Sequence, residues 1–261
     1  MSQDNSLLAI ERQRRILDIL QRQGAVRTAE LTKLMKVSAV TIRSDLGELQ
    51  KLGECKIIWG GAVSGLPASD QDALLRRRSE LNVASKQRIG KRAIDFIEVG
   101  QTIFIDAGST TLEIVNNLPR NLEYLRIVTP ALNIAVAATY YPYVELVMPG
   151  GVLRNLTRSL IGAQTIRSLE MFNADLVFLA SGGFSVENGV TTGNILEVEV
   201  KRTMVKRANR VILTADGSKY GHSLSLNVAP IAAIDTLISD GQLSDAAAGK
   251  LEQAGLDVIR V

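Results

Sequence analysis

Apolar positions recur at helical spacing three times within the first 52 residues. Over 8–23, Ile16, Leu17, Ile19 and Leu20 supply one side of a helix that Gly24 stops. Thr28 is placed as the N-cap of a second helix, AELTKLMK, with Leu31, Leu34 and Met35 turned inward. A third helix, over 38–52, carries Ile42, Leu46, Leu49 and Leu52 at spacings of four, three and three. Ser38 is its expected N-cap and Gly53 its left-handed stop. So short a connection through Val37 and Ser38 turns the second and third helices sharply on each other.

After Gly53 the period changes. Cys55, Ile57 and Trp59 alternate with Lys56 and Ile58 ahead of Gly60-Gly61, the pattern of a β-hairpin. Three helices and a hairpin predict a winged helix-turn-helix. The leading end of the third helix, Ser38, Ala39, Thr41, Arg43 and Ser44, is small, polar and cationic. Short hydroxyl residues permit close approach to a major groove, and Arg pairs with phosphate or guanine edges. Thr28 and Trp59 are added to the expected DNA-facing set.

The segment SGLPASD, 64–70, reads as a linker, and the three arginines 76–78 as its solvated face or, alternatively, as a contact to the DNA backbone. From residue 85 on, helical and strand-like stretches alternate. A helix with Ile89, Ala93, Ile94 and Ile97 on one face leads through Gly100 into the strand QTIFID. RIVT, VELVM, ADLVFLAS, RVILTAD and TLIS are short, β-branched and almost continuously apolar, which predicts strands covered on both sides, with helices over 131–139 and 195–208 between them. The expected architecture is α/β: a winged helix-turn-helix over 1–63, a linker over 64–84, and a Rossmann-like parallel α/β domain over 85–261 that binds an effector.

Charge sharpens this division. Residues 1–92 hold 17 Lys and Arg against 10 Asp and Glu, whereas 93–261 hold 13 against 17. A basic front and an acidic back suggest that only the front meets a polyanion. One cysteine, Cys55, rules out an internal disulfide, and a lone histidine beside it argues against a structural zinc site, so no metal or cofactor is expected. The N-terminus MSQDNSLLAIERQRR has no apolar region behind a basic start, and no run of about 18 apolar residues follows anywhere, which reads as a cytoplasmic chain without a membrane partner.

Ligands of open parallel sheets bind beyond the carboxyl ends of the strands. The loops there are rich in glycine and hydroxyls. DAGSTT offers Asp106, Gly108, Ser109, Thr110 and Thr111 at a helix start, either as a phosphate cradle or as a plain N-cap run. PGGVLR brings Gly150, Gly151 and Arg154, a guanidinium suited to phosphate, and ASGGF brings Gly182 and Gly183. NGVTTGN is read as opening a helix with Thr191 and Thr192, followed by Glu197 and Lys201 as an i,i+4 pair. ADGSKYG delivers Asp216 and Lys219. Neither a Walker A motif nor GxGxxG occurs among them, so the set fits a small phosphorylated polyol, with Asp106 and Asp216 facing sugar hydroxyls.

The TIRSDL helix and WGGAV wing end, followed in order by DAGSTT, PGGVLR, ENGVTTGN and ADGSKYG, resemble the DeoR family of bacterial transcriptional repressors over nearly the whole chain. The resemblance implies an operator-binding winged helix and a sensor, related to ribose-phosphate isomerases, that binds a phosphorylated sugar and releases DNA. It places Thr41, Arg43, Asp45 and Lys56 at the family's DNA-head positions. Asp106, Ser109, Thr110, Gly151, Arg154, Thr191, Asp216 and Lys219 fall at its sensor positions. Asp45 is expected to hold structure rather than read bases. Ser44 and Trp59 stand where the family usually has an arginine and a histidine, and Pro130 and Ala131 where it tends to polar residues.

The expected function is therefore a repressor of a carbohydrate-utilisation operon, with double-stranded operator DNA and a phosphorylated sugar as partners. Paired half-sites predict a homodimer or homotetramer built through the C-terminal domain. The alternative is a sugar-phosphate isomerase carrying a DNA head, with Glu187 or Glu197 as base; the acidic pair that the related isomerases carry after the strand ending in ASGGF is absent.

Overall fold

A computed structural model describes residues 9–51, 55–64 and 81–261. Leu8, Leu52, Gly53, the three arginines 76–78 and most of the expected linker lie outside the described residues. The chain forms two compact units, Met1–Ala73 and Leu74–Val261.

In the first unit, α1 (Ala9–Gln23), α2 (Thr28–Met35) and α3 (Ala39–Lys51) accompany a three-stranded antiparallel sheet. Its strands are β1 (Ala25–Arg27), β2 (Cys55–Ile58) and β3 (Gly61–Ser64), in the order β1-β3-β2. Ile16, Leu20, Val26, Leu31, Met35, Ile42, Leu46, Leu49, Cys55 and Ala62 form one core. The expected helices are present. Leu34, expected inside, is exposed, because eight residues of α2 turn only a narrow stripe, Leu31 and Met35, toward that core. Thr28 is the first residue of α2, not its cap; Arg27 holds the N-cap position in extended conformation, with no side-chain cap bond. The intervening strand β1 is too short to show a period. It fixes the chain's direction into α2 by pairing with β3.

The sharp turn between α2 and α3 uses Lys36 in the left-handed region at φ 54°. Ser38 then caps α3, its Oγ accepting from the Thr41 amide at 3.1 Å. The hairpin turn is Trp59-Gly60, since Ile58 already pairs with Gly61. Gly61 lies one position further, within β3, and a Cβ there would meet the Val26 carbonyl oxygen at 1.9 Å. Gly61→Ala is thus expected to lower the head's stability by about 1–3 kcal/mol, as overpacking does, read as a lower urea midpoint.

The second unit is built on seven parallel strands. In chain order they are β4 (Thr102–Ile105), β5 (Leu125–Val128), β6 (Val144–Val147), β9 (Ala174–Leu179), β12 (Ala208–Thr214), β14 (Thr236–Ser239) and β15 (Asp257–Arg260). Their spatial order is β15-β14-β12-β9-β4-β5-β6. Ile103, Phe104, Ile105, Val177, Phe178 and Leu179 are fully buried, as their apolar runs require. On one face lie α4 (Val83–Ala93), α5 (Ser109–Asn116) and α6 (Leu132–Ala138), which share a core with Ile103, Ile105 and Phe178. On the other lie α7 (Ala163–Glu170), α8 (Ile195–Lys206) and α9 (Asp245–Gln253), packed with Phe104, Val177 and Leu179. Two smaller antiparallel pieces were not legible in the apolar pattern: the hairpin β7 (Val152–Arg154) with β8 (Ser159–Ile161), and the sheet of β10 (Gly183–Ser185), β11 (Gly189–Thr192) and β13 (Leu226–Ala229). Among the described residues no helix is long and apolar enough to cross a membrane.

Candidate functional sites: a helix-turn-helix head and a strand-end pocket

The exposed end of α3 presents Ser38, Ala39, Arg43 and Ser44, with Thr41 half-buried behind them. Thr41 and Ser38 share a hydroxyl hydrogen bond of 2.9 Å, so Thr41 Oγ1 is held at the helix's leading edge. Asp45 points the other way. It is buried and takes a two-point bond from Arg12, Nε to Oδ2 at 2.5 Å and Nη2 to Oδ1 at 3.0 Å, with Gln13 adding a third at 3.4 Å. That bond raises the Arg12 pKa further. Asp45 therefore fixes α3 against α1, while Arg43 stays exposed at the helix's leading end. Lys56 and Trp59 are exposed on the hairpin, and the Thr28 amide donates to the Gly60 carbonyl at 2.9 Å, which joins the start of α2 to the wing tip.

In the sensor, strand order reverses between β4 and β9: successive strands after β4 step one way to β6, and those from β9 step the other way to β15. Such a switch point opens a crevice at the strand ends. Asp106 ends β4 there and is 2% exposed. Its Oδ2 accepts from the Ala180 amide at the end of β9, at 2.9 Å, and from Lys201 Nζ; its Oδ1 accepts from the Ala107 amide at 2.8 Å. Lys201 also donates to the Ala180 carbonyl at 3.1 Å. Burial pushes the Asp106 pKa up, and Lys201 and the Ala180 amide pull against that. This pair locks the two switch-point strands to α8, and both carboxylate oxygens of Asp106 are engaged within the protein.

The expected Glu197–Lys201 helix pair is replaced by two longer-range bonds. Lys201 reaches Asp106, while Glu197 takes Arg154 Nη1 at 2.7 Å, and Arg154 also donates to Thr157 at 3.2 Å. Thr192 Oγ1 lies 3.5 Å from Glu197. A cavity of about 20 Å³ remains at the strand ends, lined by Asp106, Pro130, Ser159, Glu197 and Lys201 among others. That holds about one water molecule. An open groove of about 600 Å³ lies elsewhere, on the flank of α4 and α5 between Arg88, Lys91, Glu113 and Asn117.

The DAGSTT loop divides its hydroxyls. Gly108 is the N-cap of α5, without a side-chain bond. Thr111 is buried, its Oγ1 donating to the Asp106 and Gly108 carbonyls at 2.7 and 3.0 Å. Thr110 is buried and Ser109 half-exposed at the helix start. Thr191 and Thr192 sit on β11, where pairing with β10 and β13 overrides the helix-start reading; Asn194 caps α8 instead, accepting from Leu196 at 3.0 Å. Thr191 is spent on structure, donating to the Gly183 carbonyl at 2.9 Å and accepting from the Leu224 amide at 3.0 Å. Gly183 packs against His222 and Gly150 against Gln164, whereas Gly182 is exposed. Gly151 adopts φ 145° at the entrance to β7. Pro130 and Ala131 are buried, and the preceding Thr129 Oγ1 accepts from the Ala131 amide at 3.1 Å.

Asp216, at the end of β12, is 2% exposed and accepts from Asn82 Nδ2 at 3.1 Å and from Ser218 Oγ. Around it lie two lysines. Lys219 follows on the same loop, and Lys86 comes from the first turns of α4, 6% exposed. Burial lowers the Lys86 pKa; Asp216 opposes this and Lys219 adds to it. Lys86 and Lys201 are the residues that reading the sequence missed. Spacing pairs Lys201 with Glu197 on its own helix, and nothing in the local pattern singles out Lys86.

A helix-turn-helix head followed by a parallel α/β unit with a topological switch point is the arrangement of a transcriptional regulator with its own sensor domain. Residues 12–66 match the family model for a DeoR-like helix-turn-helix domain, and residues 81–241 that for the DeoR C terminal sensor domain. The chain belongs to the DeoR family. It is 34% identical to the putative aga operon transcriptional repressor of Escherichia coli O157:H7, covering 96% of this chain and 93% of that one. It is 31% identical to the transcriptional regulator GolR of Listeria innocua, covering 97% and 98%, and 31% identical to the glycerol-3-phosphate regulon repressor of Escherichia coli K12, covering 88% and 90%. Among solved structures, the probable sor operon regulator of Shigella flexneri matches 66% of this chain and 89% of its own at 13% identity, TM-score 0.45.

Proposed function

We propose that the sensor binds a phosphorylated sugar at the strand ends and that binding releases the head from a carbohydrate operon's operator. The observation that carries this reading is the convergence of Lys86 and Lys219 on Asp216 in the loop after β12, at the carboxyl ends of the strands, the side of the sheet on which α5 also begins. Two ammonium groups and the positive end of a helix favour a phosphate. Two relatives named above repress an aga operon and a glycerol-3-phosphate regulon, which fits such a ligand.

Little space is open at the strand ends, where Glu197 lines the small cavity and is paired with Arg154, both partly buried. A sugar phosphate would need Glu197 to part from Arg154, freeing that guanidinium for the ligand and moving the start of α8. This provides the differential binding that coupling demands, because a ligand with equal affinity for two arrangements shifts neither. Thermal shift against sugar phosphates and their unphosphorylated parents tests the reading. A ligand at 100 times its Kd stabilises by about 2.7 kcal/mol, and no shift with any phosphate would overturn it. Lys219→Ala is expected to abolish that shift and leave operator binding unchanged.

We assign no catalysis to this pocket. Glu197 is engaged by Arg154, and Glu187 is exposed on the turn between β10 and β11. Isomerisation of a pentose or hexose phosphate by the purified chain would reverse that assignment. The regulator acts in the cytoplasm as a dimer or tetramer joined through the sensor, where Val152, Leu153, Ile195 and Leu196 are exposed. Light scattering showing a monomer at micromolar concentration would refute the assembly.

A further inference from the structure

The tip of the wing is apolar, which is unusual for a surface expected to meet a polyanion. Ile57 and Ile58 are 44% and 45% exposed, and Trp59 is fully exposed. Trp59 is the chain's single tryptophan. A residue of this size is normally mostly covered, and this one is covered by none of the described residues.

Nor is the tip loosely attached. Trp59 and Gly60 form a two-residue turn between the paired Ile58 and Gly61, with Gly60 at φ 84°, and β3 is paired on both sides. The Gly60 carbonyl accepts from the Thr28 amide at 2.9 Å, and the Ile57 amide donates to Gln50 Oε1 at 2.8 Å. These bonds tie the tip to the start of α2 and to the far half of α3. In a helix-turn-helix those two helices respectively cross the phosphate backbone and enter the major groove. The side chains beside the tip include the exposed cations Arg27 and Lys56, with Glu30 the acidic group in the first turn of α2. A rigid apolar point flanked by cations, continuous with a DNA-reading helix, suits the minor groove next to the one that helix occupies.

We propose that Trp59 is a wedge: the wing tip enters the minor groove beside the α3 contact, and the indole stacks at a base step and bends the operator there. The proposal rests on the head's reading as a DNA binder and adds a contact that reads deformability and groove chemistry rather than major-groove edges. Apolar wedges of this kind partly unstack a step and kink the duplex toward the major groove. The favoured target is a pyrimidine–purine step in A·T-rich DNA, which unstacks readily and lacks the guanine N2 amino group in the minor groove.

The test uses the full chain and a duplex that the chain itself enriches from a random-sequence pool. Because Trp59 is the only tryptophan, its emission reports this contact alone. Saturation with the enriched duplex is expected to quench it and shield it from acrylamide. Trp59→Ala is expected to bind about 10-fold more weakly, in the range of base–aromatic stacking, and to lose the bend measured by end-to-end energy transfer. Trp59→Phe should keep most of that bend. Arg43→Ala should weaken binding yet leave the Trp59 quench intact at saturation. Replacing G·C by I·C in the flanking segment removes only the minor-groove amino group, and should strengthen binding by the wild type without affecting Trp59→Ala. If Arg43→Ala weakens binding but saturating DNA leaves Trp59 emission and accessibility unchanged, the wedge is wrong and the head reading stands. Failure to enrich any duplex overturns both. Shielding of Trp59 that depends on protein concentration without DNA would make the tip a protein contact and also overturn the wedge.

Discussion

Replacing Lys201 by methionine is expected to destabilise the sensor by about 3–5 kcal/mol, the range for removing one partner of a buried ion pair. Lys201 and Asp106 are 7% and 2% exposed, and what remains for Asp106 in the variant is the Ala107 and Ala180 amides. Against a typical total of about 5–15 kcal/mol, such a loss brings the unit near its unfolding threshold. The effect has a pH signature. Burial already pushes the folded-state pKa of Asp106 above its ordinary value of 3.8, and without the ammonium the push is larger. A carboxyl whose folded pKa is raised favours the fold while protonated and loses that benefit as pH rises through the folded pKa. Lys201→Met should therefore be most nearly normal at acid pH and fall progressively behind the wild type toward neutrality. Urea unfolding at several pH values measures this. The double variant Asp106→Ala/Lys201→Met should recover part of the loss, since it leaves neither charge buried alone; a strictly additive double variant would show that the two residues act separately.

The contrast between Lys201 and Ile42 shows what the sequence could reveal. Ile42, Leu46 and Leu49 declare their common face through spacing alone, and all three are buried. The parallel strands declare themselves likewise, because burial on both faces demands continuous apolar runs. The partners of Lys201 and Glu197 are not a matter of spacing. They are 95 and 43 residues away and are set by the reversal of strand order between β4 and β9, which only the assembled sheet defines. Thr191 and Thr192 failed for a related reason: a hydroxyl pair ahead of an apolar run suits a helix start and a short strand equally, and pairing with β10 and β13 decided for the strand. The glycine- and hydroxyl-rich loops at the strand ends were legible as loops, but which of their hydroxyls turn inward, such as Thr111 and Thr191, was not. Trp59 was legible as an oddity, and its complete exposure needed the turn to be placed one residue earlier than the glycine pair suggested.

Asp45→Ala is expected to unfold the head while leaving the sensor's own melting and ligand response in place. The residue belongs to the recognition helix but is 3% exposed, and its loss leaves the Arg12 guanidinium, 8% exposed, without its two-point carboxylate. A loss of about 3–5 kcal/mol weighs more here than in the sensor, because a domain of this size buries proportionally less surface and starts with little margin. Calorimetry should show the head's transition lowered or gone beside an unchanged sensor transition, with operator binding lost in the same proportion. Asp45→Asn, which keeps the shape and an acceptor but not the charge, should fall between. Arg43→Ala provides the opposite pattern: its side chain is exposed, so melting should not change while operator binding weakens by more than about 1 kcal/mol, as for a good base contact. If Asp45→Ala instead melted normally and bound DNA poorly, Asp45 would be a direct reader of the operator and the Arg12 pair incidental to it.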